Sequence, residues 1–140
     1  MKADHLANIQ ETLVMLANKL NDLKVDWLLG SSCSLMVQGV DVIPHDIDII
    51  TSPNSINTIK SEFSSFITNE EPDWIQLTIN SIEVEFLLLP NITFPKSILY
   101  KGTQIPVNSL EEELYWYNKR GKEDMAKLIE DFLAKQSESR

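Results

Sequence analysis

Within the stretch Trp27–Thr51, WLLGSSCSLMVQGVDVIPHDIDIIT, two aspartates stand one residue apart, Asp46 and Asp48, interleaved with Ile47, Ile49 and Ile50. Side chains alternate across a strand, so both carboxylates point to one side while β-branched residues fill the other. Like charges held together at the edge of an apolar core are costly unless a cation binds them. The pattern therefore predicts a buried strand with a metal site on one face. Upstream, Val25–Leu29 reads as a short strand ended by Gly30, and Ser31 and Ser32 open a helix of two or three turns. A strand running through Gly and Ser into a helix lets the backbone approach a phosphate, with N–H and hydroxyl donors facing it. Gly39–Pro44 is the connection to the aspartates. His45, directly before them, either touches a phosphate and orients Asp46 or is an ordinary loop histidine.

The rest of the chain supplies the frame. Leu6, Ile9, Leu13, Leu16, Leu20 and Leu23 recur at three- and four-residue steps, predicting an amphipathic helix over 4–24 with Asp4 as N-cap and His5 a solvated surface residue. Ser52-Pro53 reads as a helix start, with Ile56, Ile59, Phe63 and Phe66 as its apolar stripe. Asp73–Ile79 and Ile82–Leu89 read as antiparallel strands joined by the two-residue turn Asn80-Ser81. On the second of these strands Glu83 and Glu85 share a face, which is either a further pair of acids for a site or a solvated hairpin surface. Pro95, Gly102 and Pro106 break the next region, leaving Gln104–Val107 as a short edge strand. Ser109 and Glu112 form a capping box that opens a helix with Leu110, Leu114 and Tyr117 inward. Tyr115 and Trp116 on its flanks read as core or interface. After Gly121 a last helix turns Met125, Leu128, Ile129, Phe132 and Leu133 inward, and the final residues read as a frayed tail.

Composition narrows the function classes. The 140 residues fit a single domain, 1–140, with a core over about 25–107 and C-terminal helices over 109–135. Twelve basic against twenty-one acidic residues give a net charge of −9, which disfavours a nucleic-acid partner. One cysteine, Cys33, excludes a disulfide framework. No apolar run approaches a membrane span, and a cytoplasmic location is expected.

Gly30-Ser31, a spacer of fourteen residues, Asp46-Ile47-Asp48, and an acid between apolar residues, Val84-Glu85-Phe86, together resemble the nucleotidyltransferase superfamily. The likeness is closest to its small single-domain and aminoglycoside adenylyltransferase-like members. Arg120-Gly121-Lys122-Glu123-Asp124 is also similar to a helix entry after the core in several of those families. The spacer is longer than in minimal members, the third acid is Glu rather than Asp, and no sizeable helical domain follows the core. The resemblance implies an α/β (α+β) fold, a mixed sheet flanked by helices with a C-terminal helical segment. It implies an NTP substrate bound through Mg2+ or Mn2+ at Asp46, Asp48 and Glu85, with Gly30, Ser31 and Ser32 on the phosphates and Glu83 as the substitute for Glu85. The acceptor is a hydroxyl of a small molecule or a protein, and an acidic pocket would suit a polycation. No lysine or arginine lies near these motifs in sequence, so metal and backbone amides carry the phosphate charge in this reading. The competing reading is a weakly catalytic binding or regulatory module, such as an antitoxin-like partner of a helical toxin. A homodimer or a separate partner protein fits either.

Overall fold

The computed structural model describes residues 2–90, 92 and 96–138. The first helix, α1 (Lys2–Leu23), buries Ile9, Leu13, Leu16 and Leu20 completely, as their spacing predicts. It begins before Asp4, which lies in the first turn rather than at the cap. Lys24, in a left-handed conformation (φ 56°), closes the helix. The chain then enters β1 (Trp27–Gly30), α2 (Ser31–Val37) and β2 (Ile47–Thr51).

Strands β1 and β2 are antiparallel, with Gly30 opposite Asp48 and Trp27 opposite Thr51. This pairing decides where the site forms. A parallel crossover would put the end of β1 and the start of β2 at opposite edges of the sheet. Antiparallel pairing instead sets the Gly-Ser turn directly beside the aspartates, with α2 packed at that one end. Buried Cys33, on α2, donates to the Asp46 carbonyl at 3.3 Å and holds the loop there.

Ser52 and Pro53 do not start the next helix. They lie in a turn, and α3 (Ile56–Glu62) begins after Ser55. The Ser52 hydroxyl is drawn away instead, to the Asp26 carboxylate and to the Ser55 hydroxyl, each at 3.2 Å. Ile59 and Phe63 are buried, whereas a 3-10 turn, Ser64–Phe66, swings Phe66 out to 42% exposure. There follow β3 (Ile67–Glu71), β4 (Trp74–Ile79) and β5 (Ile82–Leu88). Charge and polarity concealed β3, which is largely exposed. The β4–β5 turn has positive φ at both Asn80 (53°) and Ser81 (66°), the mirror-image geometry that suits tight hairpins.

Two more strands, β6 (Lys96–Tyr100) and β7 (Thr103–Val107), complete the seven-stranded sheet in the order β3-β4-β5-β2-β1-β7-β6. Only the β7 part was expected, and as an edge; β7 lies between β1 and β6, with β6 at the margin. The predicted breaker Pro95 lies outside the described residues. The pairs β2–β5 and β1–β7 are parallel and the others antiparallel, so the sheet is mixed.

One sheet face, through Ile47, Ile49, Val84, Phe86, Ile75 and Leu77, forms the main core with α1 and α3. A second, smaller core joins Leu35 and Val40 to Leu110, Tyr117, Ala126 and Ile129 of α4 (Leu110–Lys119) and α5 (Glu123–Glu138). Ser109 caps α4 as expected, its hydroxyl accepting from the Glu112 N–H at 3.1 Å. On α5, Leu128 points outward, 37% exposed, and Ala126 takes the inward position. Helices α4 and α5 thus pack with α2, and α4 stands over the sheet's other face without filling it. No helix among the described residues is long and apolar enough to cross a membrane.

Candidate active site

The site is assembled by strand register. Across β4, β5, β2 and β1, Gln76 pairs with Glu85, Glu85 with Asp48, and Asp48 with Gly30. Register-matched neighbours share a face, so these four positions form one lateral row facing α4. Glu85, Asp48 and Gly30 of this row, with Ser31, line a cavity of about 620 Å³. That is a volume suited to one small molecule.

Asp46 precedes β2 and lies half-buried close to Asp48. Burial, then the charges of Asp46 and Glu85, push the Asp48 pKa up to about 7; the Ser31 hydroxyl bonded to it acts the other way. None of the ion pairs found among the described residues reaches these three carboxylates. The cluster is therefore short of positive charge. Among the described residues no three His, Cys, Asp or Glu side chains stand close enough to form a ready-made metal cage. Magnesium does not require one, because it commonly takes one or two carboxylates and completes its shell with phosphate oxygens and water. Asp48 and Glu85 line the cavity and Asp46 stands beside Asp48 outside that lining, hard-oxygen donors of the kind such an ion takes.

The remaining predicted residues are placed as follows. Ser31 has φ 55°, a conformation costly for a residue with a side chain. Gly30 is extended, and a Cβ added there would meet Ile50 Cδ1 at 3.6 Å and the Asp48 carbonyl at 3.9 Å, ordinary contact distances. Packing thus does not demand glycine at this position, which lies on the cavity floor. Ser32 is half-buried in α2 and does not line the cavity. Glu83 is exposed and bonded to Gln76. His45 is exposed, its ring centre 6.2 Å from that of His5, and also stands off the cavity. His5 is half-buried rather than solvated, its Nε2 bonded to the Pro44 carbonyl at 2.9 Å.

Several residues at the site come from α4 and escaped sequence reasoning. Glu113, 3% exposed, accepts from the Ser31 N–H at 3.3 Å and from Asn108 Nδ2 at 3.1 Å. Burial raises its pKa, and those two bonds oppose the shift. The Tyr117 hydroxyl reaches Ser31, and its pKa is pushed up to about 12, chiefly by burial. Glu113 and Tyr117 thus clamp the strained serine from two sides. Arg120 lines the cavity, a basic residue that the sequence neighbourhood of the acids does not show. Trp74 and Trp116 line it too, and Trp116, 42% exposed, lies outside the core. An acid at the inward position of an amphipathic helix, Glu113 between Leu110 and Tyr117, was the available signal.

The family model described as aminoglycoside-2″-adenylyltransferase matches residues 12–91, more than half of the chain. The chain belongs to this family. The matched span contains the Gly-Ser turn, both aspartates and Glu85. A crystal structure described as a candidate nucleotidyltransferase from Thermotoga maritima superposes with a TM-score of 0.68 at 26% identity, covering 89% of this chain and 92% of that one. The lincosamide antibiotic adenylyltransferase LnuA, lincomycin-bound, has a TM-score of 0.70 at 14% identity, with coverage of 86% and 95%. ANT(2″)-Ia in complex with adenylyl-2″-tobramycin has a TM-score of 0.63 at 12% identity, with coverage of 91% and 94%. These last two likenesses establish the shared nucleotidyltransferase fold. A sequence comparison with curated proteins finds no match.

Proposed function

We propose that this member of the family transfers a nucleoside monophosphate from an NTP to a hydroxyl group of a small molecule or protein. The observation that carries the reading is the lateral row Glu85–Asp48–Gly30 on a cavity floor, with Ser31 held beside it. In two structural neighbours the bound molecules are a lincosamide and an adenylylated aminoglycoside, both consistent with a small acceptor.

The acceptor oxygen attacks the α-phosphorus, the bond to the bridging oxygen breaks, and pyrophosphate leaves. Gly30 keeps the floor clear for the β- and γ-phosphates, the Ser31 hydroxyl donates there, and Ser32 supports the turn. Arg120 offsets charge from the α4 side. Asp46, Asp48 and Glu85 would hold Mg2+, or Mn2+ in its place, which supplies charge neutralisation for the triphosphate and the leaving pyrophosphate. Glu85, at the end of the row away from Gly30, accepts the acceptor's proton. Glu83 and His45, which stand off the cavity, take no part in the transfer.

The test is thermal unfolding with each of ATP, GTP, CTP and UTP in the presence of Mg2+. A ligand bound only by the folded state raises Tm. At least one nucleotide is expected to do so, and Asp48→Asn is expected to abolish both that shift and pyrophosphate release. Stable capture of a partner protein that is indifferent to Asp48→Asn, without any nucleotide shift, would establish the binding-module reading instead.

A further inference from the structure

The sheet face that carries the acids continues beyond them. Two residues along each strand lies a second register-matched row: Trp74 pairs with Leu87, Leu87 with Ile50, and Ile50 with Leu28. Two residues span ~7 Å of strand. One cavity floor therefore has a polar row and, a side chain's reach away, a wholly apolar one.

The apolar row is not equally open along its length. Leu28, at the β1 end beside Gly30, is only 4% exposed, whereas Leu87 on β5 is 43% exposed and Leu89 just beyond it 39%. Trp116 rises over this part at 42% exposure, its indole N–H fixed to Glu112 Oε1 at 3.0 Å. The uncovered apolar surface thus lies at the Glu85 end of the polar row. Contiguous apolar surface joined to a polar cluster in a concave site marks a ligand-binding surface. Because it adjoins Glu85 and not Gly30, its occupant is the acceptor rather than the triphosphate.

We infer that Leu87, with Leu89, Trp74 and Trp116, forms an acceptor subsite for an amphipathic hydroxyl compound, one presenting an apolar face ~7 Å from its reacting oxygen. The inference rests on the transferase reading and narrows its acceptor. A wholly polar polycation would leave Leu87 and Leu89 uncovered and gain nothing from the indoles.

Matched alkyl glucosides test this. Hexyl and methyl β-D-glucoside carry the same hydroxyls and differ only in apolar length. Binding is read by tryptophan fluorescence with Mg2+ and a non-hydrolysable ATP analogue present. Trp27 is 3% exposed and bonded to Asn21, so the signal reports Trp74 and Trp116. The hexyl compound is expected to bind at least about tenfold more tightly, because its added methylenes leave water on the apolar row. Leu87→Ser, and Leu87→Asn as a second uncharged variant, are expected to remove that preference without changing the nucleotide's Tm shift. Equal binding of the two glucosides, no binding of either, or preference for a polycation such as tobramycin would overturn the inference. So would a Leu87 variant that weakens the nucleotide instead, since the nucleobase would then occupy the apolar row. Absence of any nucleotide shift in the wild-type protein is a separate result: it removes the transferase reading itself.

Discussion

The two faces of the central sheet are built from the same strands, offset by a single residue, and they do opposite work. On one face Ile47, Ile49, Val84, Phe86, Ile75 and Leu77 are at most 1% exposed beneath α1 and α3. On the other, Asp48, Ile50, Glu85, Leu87, Trp74 and Gln76 remain half-buried or exposed. There α4 stands above them while its own apolar side is spent on α2 and α5. The first face follows the ordinary rule for burial. The second breaks it twice, holding acids where charge is costly and leaving leucines where water reaches them. A face that neither packs nor solvates cleanly is where a ligand completes the structure.

The sharpest way to break this contrast is to cut adjacent residues of β5. Phe86→Ala removes a side chain that is 0% exposed and meets Phe63 with ring centres 6.2 Å apart. It is expected to cost ~3–5 kcal/mol of stability. Leu87→Ala, one residue on, is expected to cost less than ~1 kcal/mol, because the side chain is already 43% exposed. Urea unfolding of both variants measures the difference. Equal costs would mean that the second face is load-carrying packing and not an open binding surface.

How much of this was readable in advance follows from the same contrast. The core face was legible because period-two burial has a direct signature, as in Trp74–Ile79, and because Asn80-Ser81 separates two strands by a turn of the right length. The pairing of β1 with β2 was not legible, since a helix between two strands usually signals a parallel crossover. Strands β3 and β6 carry few buried side chains and so left little pattern. At the site, Asp46-Ile47-Asp48 and Glu85 are visible because acids interrupt apolar strands. Their mutual nearness depends on register, which no local spacing encodes. Glu113, Tyr117 and Arg120 arrive from a helix more than sixty residues downstream of the aspartates, brought in by the Leu35–Ile129 core.

Gly30→Ala sharpens the comparison at the β1 end of the polar row. The added methyl meets its neighbours at 3.6 Å or more, so the fold accommodates it and Tm should stay within a few degrees of wild type. In the proposed reaction the methyl would project over the floor that the phosphates approach. Nucleotide affinity is expected to fall about 10–100-fold, or ~1.4–2.8 kcal/mol, measured by titrating the Mg2+-nucleotide complex against Tm. A variant that unfolds readily but binds nucleotide normally when folded would show that Gly30 serves the core face after all.

The smallest effect expected is a pH dependence confined to the open face. Asp48 has a folded pKa of about 7 against an ordinary value of 3.8, so the folded state binds more protons between those limits. The contribution of Asp48 to stability without metal should therefore be greatest below about pH 4, fall as pH rises to about 7, and level off above it. The loss is on the order of 1–2 kcal/mol, since part of the carboxylate faces water. Asp48→Asn removes the titration and should make the variant the more stable protein at pH 8 when no metal or nucleotide is present. Mg2+ with nucleotide should reverse that order, because the ionised aspartate then has a cation to face. Melting curves for both proteins at pH 5 and pH 8, with and without Mg2+-ATP, give the comparison. If Asp48→Asn is less stable than wild type in metal-free buffer at pH 8, the carboxylate is part of the packing, and the distinction between the two faces fails at the residue on which it depends most.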